Sequence, residues 1–113
     1  MDVKKMLDDF NNGLGKLARE LPGVMKGFRD LHGAVISDGA LSAKQKELIA
    51  IGIGVAIRCH YCIAAHVAKA LELGATREEV VEAIGVAVLM GGGPAAAYAT
   101  EALKVLDTLA GKE

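Results

Sequence analysis

The sequence predicts an all-α protein, and three observations carry that expectation. Apolar residues recur at spacings of three and four through most of the chain, the period of a helix with one buried face. No stretch alternates apolar and polar with period two, and no hairpin dipeptide has strand-like flanks. Twice, at Ser42 and at Thr76, a hydroxyl residue is followed three positions later by Gln45 or Glu79, the reciprocal cap that opens a helix. The expected architecture is about six helices in a single domain spanning residues 1–113.

The elements follow in order. Residues 3–20 place Val3, Met6, Leu7, Phe10, Leu14, Leu17 and Ala18 on one helical face. Gly13 and Gly15 weaken the middle, each by ~1 kcal/mol relative to alanine. Pro22 suits the first turn of a second helix, whose expected buried side is Val24, Met25, Phe28, Leu31 and Val35. His32, expected at the end of that helix, fits a partner for the C-terminal dipole. Residues 37–40 form a loop. The third helix opens at Ser42, with Leu41 placed for a hydrophobic staple, and runs through Glu47 to about Arg58. From Leu48 to Ile57 it is apolar on every side, which predicts burial all round. Gly52 and Gly54 inside it read as close approach to another helix. The fourth helix starts around Cys59 to Cys62 and runs to Leu73, with Gly74 as a left-handed stop. Thr76 opens a helix to about Met90. Gly91-Gly92-Gly93-Pro94 breaks it, and Pro94 opens a last helix through Leu109. Ala95, Tyr98, Ala99, Ala102, Val105 and Leu106 are expected inside. The triple glycine lacks the Lys-Ser/Thr of a phosphate loop and reads as an interhelix turn.

Composition narrows the function. The chain is 52% hydrophobic with no tryptophan, more apolar than the interior of so small a domain requires. The surplus points to a subunit interface, hence a homo-oligomer. Net charge is −1, with no basic run and no arginine–aromatic interleaving, so nucleic acid binding is not expected. The N-terminus lacks the apolar core of a signal peptide. The apolar runs Leu48–Ile57 and Ala83–Met90 fall short of the ~20 residues of a membrane span. The reading is a cytoplasmic protein with no membrane partner.

Chemistry concentrates at Cys59-His60-Tyr61-Cys62, which holds both cysteines of the chain. In a reducing compartment such a pair is redox-active or metal-binding before it is a structural staple. At a helix start, Cys59, Cys62 and His66 follow one face at i, i+3 and i+7, where free amides and the dipole favour a thiolate. Two sulfurs so spaced can close into a disulfide, which supports a cycle of attack, resolution and re-reduction. His66 is placed to relay a proton to and from Cys62. Glu47, the one acid between Asp38 and Glu72, sits at the edge of an apolar helix, where partial burial makes it a usable base; a first-turn dipole partner is the structural alternative. His60 and Tyr61 are candidate modulators of thiol reactivity. Arg58 could face a thiolate or solvent. Zinc is the competing chemistry, with Cys59, Cys62, His66 and Glu47 as ligands. Three of these share one helix start and no second Cys/His pair exists, so neither a metal nor another cofactor is expected. An inert buried cysteine pair is the bland reading.

Together, Glu47, the run Cys59-His60-Tyr61-Cys62-Ile63-Ala64-Ala65-His66 and Leu73-Gly74-Ala75-Thr76-Arg77-Glu78-Glu79 resemble the carboxymuconolactone decarboxylase / alkylhydroperoxidase D-like (AhpD-like) superfamily. The resemblance covers roughly residues 38–110 and is closest to its small single-repeat members. It implies an all-α helical fold assembled as trimers or hexamers, and thiol peroxidase or disulfide reductase activity. It further implies that Cys62 attacks a hydroperoxide, that Cys59 resolves the product as a disulfide, and that His66 and Glu47 form a proton relay. The reductant implied is a dithiol, such as a lipoyl-bearing protein. The peroxidase pattern has a histidine immediately before the second cysteine. Here Tyr61 stands there and the histidine is His60, a departure that bears on peroxidase efficiency and leaves the thiol pair intact. Two alternatives remain at this point: a non-catalytic oligomeric redox-sensing or binding module, and a decarboxylase-type lyase, a branch that does not need the cysteine pair.

Overall fold

The computed structural model describes residues 2–111; the ends of the expected domain, at 1, 112 and 113, lie outside them. Five helices follow one another: α1 (Val3–Glu20), α2 (Pro22–Ile36), α3 (Ala43–Ala56), α4 (His60–Glu72) and α5 (Arg77–Leu109). No strand occurs among the described residues, as the helical periodicity predicts. The caps are those the sequence marks. Ser42 with Gln45 and Thr76 with Glu79 form reciprocal capping boxes, and Gly74 ends α4 at φ +90°.

The expected sixth helix is the second arm of α5. Two helical arms meet at Gly92, whose φ 68° and ψ −148° are not helical, a conformation open essentially to glycine alone. A straight helix of 33 residues would be about 50 Å long. Yet Arg77 Nε, in the first turn, donates to Asp107 Oδ1, in the last, at 2.7 Å. The two arms therefore fold back on each other at Gly92. By length and composition α5 is apolar enough to cross a membrane, but each arm is shorter than the ~20 residues of a span.

α3, α4 and the two arms of α5 pack together as the core, and α1 lies across α4 and α5. Ile51, Val55, Ile63, Val67, Val80, Val105 and Leu106 are its largest closed apolar side chains. Ala95, Ala99 and Ala102 face inward with them and Tyr98 is half-buried against them, so the expected inner face of the last arm is correct.

Three expectations fail. The predicted buried side of α2 is open: Met25 is buried, while Val24, Phe28, Leu31 and Val35 are each more than half exposed. α3 is not buried all round, because Ile49, Ile53 and Ile57 face outward. Both errors have one cause, since apolar periodicity marks a face for burial without saying what buries it. Finally, α2 runs on to Ile36, so His32 is not at its end. The cation there is Lys46, whose Nζ donates to the carbonyls of Val35 (2.8 Å) and Ser37 (2.6 Å), satisfying oxygens that the helix end leaves free.

Candidate functional site: a cysteine pair beside a buried carboxylate–imidazole dyad

The site is built on the α3–α4 junction. α3 ends in a paired hydrogen-bond motif: Arg58 N–H donates to Val55 O (3.1 Å) and Cys59 N–H to Gly54 O (3.0 Å). This motif requires a left-handed residue between them. Here that residue is Arg58, at φ 60°, although a side chain in this conformation costs roughly 1–2 kcal/mol. The sharp turn delivers Cys59 as the N-cap of α4, where its Sγ accepts the Cys62 N–H at 3.2 Å. Cys59 and Cys62 are joined as a disulfide with Cα atoms 5.2 Å apart, well inside the usual reach of about 4.4–6.8 Å. Gly54 makes room for it. A Cβ on Gly54 would stand 3.4 Å from Cys62 Cβ, so the glycine allows the cysteine turn to seat directly on α3.

Glu47 and His66 come from different helices, nineteen positions apart, and meet at 2.6 Å between Oε1 and Nδ1. The Glu47 side chain is 0% exposed and that of His66 26%. Glu47 is thus wholly rather than partly buried. It is the buried charged residue among the described side chains, and its Oε2 has no hydrogen-bond partner. A buried acceptor left unpaired costs about 1–3 kcal/mol, so the arrangement is not one that stability alone favours. The contact engages Nδ1 and not the second ring nitrogen, Nε2. His66 follows Cys62 by one helical turn on the same side of α4.

The residues between the cysteines are held by two different elements. The His60 ring tilts against Tyr98 at 5.4 Å, and its Nδ1 lies 3.7 Å from Glu101 Oε2 on the second arm of α5. Tyr61 stacks on Phe10 of α1, with ring centroids 5.0 Å apart. Sequence reasoning did not connect Phe10, Tyr98 or Glu101 with the site, since nothing in the spacing links residues so far apart. Gly54 had a signal, a glycine inside an apolar helix, that pointed to close packing without naming Cys62 as the neighbour. Among the described residues, no group of three or more His, Cys, Asp or Glu is arranged to hold a metal ion.

Fold and site together define an all-α protein with a redox-capable cysteine pair next to a carboxylate–imidazole dyad. Residues 22–105 match the model of the carboxymuconolactone decarboxylase family, and the chain belongs to that family. A family protein from Legionella pneumophila has a crystal structure that superposes with a TM-score of 0.91 at 43% identity, over 95% of this chain and 96% of that one. An uncharacterised protein from Cupriavidus necator is 39% identical over 108 residues, 96% of each chain. The alkyl hydroperoxide reductase AhpD of Mycobacteroides abscessus is 28% identical over 90 residues, which are 80% of this chain and 50% of that protein.

Proposed function

We propose that the protein is a cysteine-based hydroperoxide reductase, a thiol–disulfide oxidoreductase of antioxidant type. The observation that carries this reading is the placement of a Cys59–Cys62 disulfide at the start of α4, one turn from a His66 held by the buried Glu47. The likeness to AhpD supports it.

The cycle starts from the dithiol. The Cys62 thiolate attacks the terminal oxygen of ROOH. The O–O bond breaks, Cys62 becomes a sulfenic acid, and the alkoxide leaves as ROH with a proton supplied through His66. The Cys59 thiol then attacks the Cys62 sulfur and expels water, closing the disulfide. A dithiol such as dihydrolipoamide restores the pair. Its thiolate attacks Cys62, and Cys59 leaves as a thiolate held by the Cys62 amide and the helix N-terminus. The second thiol of the reductant then displaces Cys62 and takes up both oxidising equivalents as its own disulfide. Glu47 fixes the His66 ring through Nδ1, so that Nε2 carries the mobile proton.

Steady-state consumption of cumene hydroperoxide with dihydrolipoamide tests the proposal. Cys62→Ser is expected to abolish turnover. Cys59→Ser should consume one equivalent of peroxide and stop, leaving a sulfenic acid that dimedone traps on Cys62. Full turnover by Cys62→Ser would sink the assignment.

A further inference from the structure

Helices α3 and α4 end in the same way. At the end of α4, Gly74 N–H donates to Leu71 O (3.0 Å) and Ala75 N–H to Ala70 O (2.9 Å); at the end of α3, Arg58 N–H donates to Val55 O and Cys59 N–H to Gly54 O. Both motifs need a left-handed residue at the turn, at φ 90° for Gly74 and 60° for Arg58. Both turn residues are exposed, so burial does not choose between them, and the backbone alone favours glycine. Among the described residues, Arg58 is the one with a positive φ that is not glycine. What separates the two turns is the residue that follows: Ala75 after Gly74, and the disulfide-bonded Cys59 after Arg58. A strained residue kept where glycine would serve points to a function for its side chain. Arg58 is also an uncommitted charge at the pair. Glu47 holds His66 at 2.6 Å and Glu101 faces His60 at 3.7 Å, whereas the Arg58 side chain makes no hydrogen bond or ion pair among the described residues.

We infer that Arg58 is a specificity-determining residue of the reductive step, holding the carboxylate of a small dithiol acid while that molecule's thiolate attacks the disulfide. The inference rests on the dithiol exchange proposed above and names the class of reductant. Three points place the anion on the reductant. The structure holds the disulfide, the state that a reductant meets and a peroxide does not. Consecutive Cα atoms are about 3.8 Å apart, so Arg58 stands beside the sulfur that leaves, and its guanidinium fork matches a carboxylate. Attack on Cys62 puts the incoming sulfur across the pair from Cys59, so the carboxylate must stand several carbons from the thiol to reach back to Arg58. The exchange itself is unchanged: the dithiol acid ends as its own cyclic disulfide, its two electrons and two thiol protons pass to Cys59 and Cys62, and its carboxylate is untouched.

Anaerobic reduction of the Cys59–Cys62 disulfide by dihydrolipoate and by dihydrolipoamide tests this without peroxide. The two dithiols differ only in a carboxylate against an amide. Reduction is read by quenching with N-ethylmaleimide and measuring the mass of the labelled chain. The wild type should react roughly three- to fivefold faster with dihydrolipoate, the effect of one exposed ion pair. That advantage should vanish in high salt and in Arg58→Gly, and survive in part in Arg58→Lys, which keeps the charge without the fork. Arg58→Gly should also melt above the wild type, so that lost selectivity does not reflect a lost fold. Equal rates for the two dithiols in the wild type would overturn the inference and leave the exchange reaction standing. An Arg58→Gly variant that slows both dithiols alike would overturn it too, because the arginine would then act on the leaving Cys59 sulfur. A variant that melts below the wild type would show that the arginine serves the fold and would remove the premise. No reduction by either dithiol would overturn the proposed function and this inference together.

Discussion

Helix α3 has two apolar faces with opposite fates. Ile51 and Val55, four apart, are completely buried, with Glu47 one turn before them. Ile49, Ile53 and Ile57, also four apart, are 50%, 55% and 63% exposed. Ordinary amphipathicity is inverted here, because the helix hides its carboxylate and shows its isoleucines. A buried charge that lacks a partner for one oxygen and an exposed stripe of isoleucine both run against the stability of a lone chain. The first serves the proton relay proposed above, and the second is an apolar face that this chain leaves open to solvent.

The sharpest way to break this contrast is to truncate one isoleucine on each face. Ile51→Ala should cost about 2–5 kcal/mol in urea unfolding, because it opens a cavity in the packed core. Ile53→Ala, on the open face, should leave stability within about 0.5 kcal/mol. Equal losses would mean that the two faces do not differ.

Glu47 gives the next largest effect, and its split between turnover and stability separates chemistry from packing. Glu47→Leu removes the unpartnered buried oxygen but also deprives His66 Nδ1 of its 2.6 Å partner; the two effects oppose, so stability should change by no more than about 1–3 kcal/mol. Peroxide turnover should fall by roughly 10²-fold or more through loss of the relay. A variant destabilised by several kcal/mol would make Glu47 a structural residue.

Gly54 tests how closely α4 sits on the inner face. Gly54→Ala places a methyl at ordinary contact distance from Cys62 Cβ, 3.4 Å, and should be nearly neutral. Gly54→Val adds bulk against the cysteine turn and should cost about 1–3 kcal/mol while altering the rate of dithiol exchange at Cys59–Cys62. Identical exchange rates in both variants and the wild type would separate Gly54 from the site.

Much of this was legible in the sequence. The caps at Ser42 and Thr76, the stop at Gly74 and the turn at Gly91–Pro94 announce themselves through local backbone chemistry, and so does the placement of Cys59 at a helix start. The family resemblance rests on Glu47, the cysteine pair and His66, and the structure brings Glu47 and His66 into contact. What was not legible depends on distant partners. The stacking of Phe10 on Tyr61 and the approach of Glu101 to His60 join residues 51 and 41 positions apart, beyond any helical period. The open face of α2 was misread for the same reason, since Val24, Phe28, Leu31 and Val35 have the spacing of a buried stripe whether the cover comes from the same chain or another.

The smallest effect lies at the start of α3, where its polar end meets α5. Glu79 Oε1 accepts the Thr76 N–H at 2.9 Å, and Lys44 Nζ of α3 reaches Glu79 Oε2 at 3.1 Å. The Thr76 amide first, then Lys44, hold the Glu79 carboxyl below its ordinary value of 4.5. A carboxylate depressed in the folded state adds stability that is fully present above the unfolded value and lost as pH falls through the folded one. The melting temperature of the wild type should therefore exceed that of Glu79→Gln by a small margin at pH 7, and the margin should close below pH 4.5. Part of it should also fade in high salt, which screens Lys44 and leaves the amide bond. Glutamine keeps the capping geometry and removes only the charge, so a margin independent of pH would show that the contact is held by shape alone and that charge plays no part in joining α3 to α5.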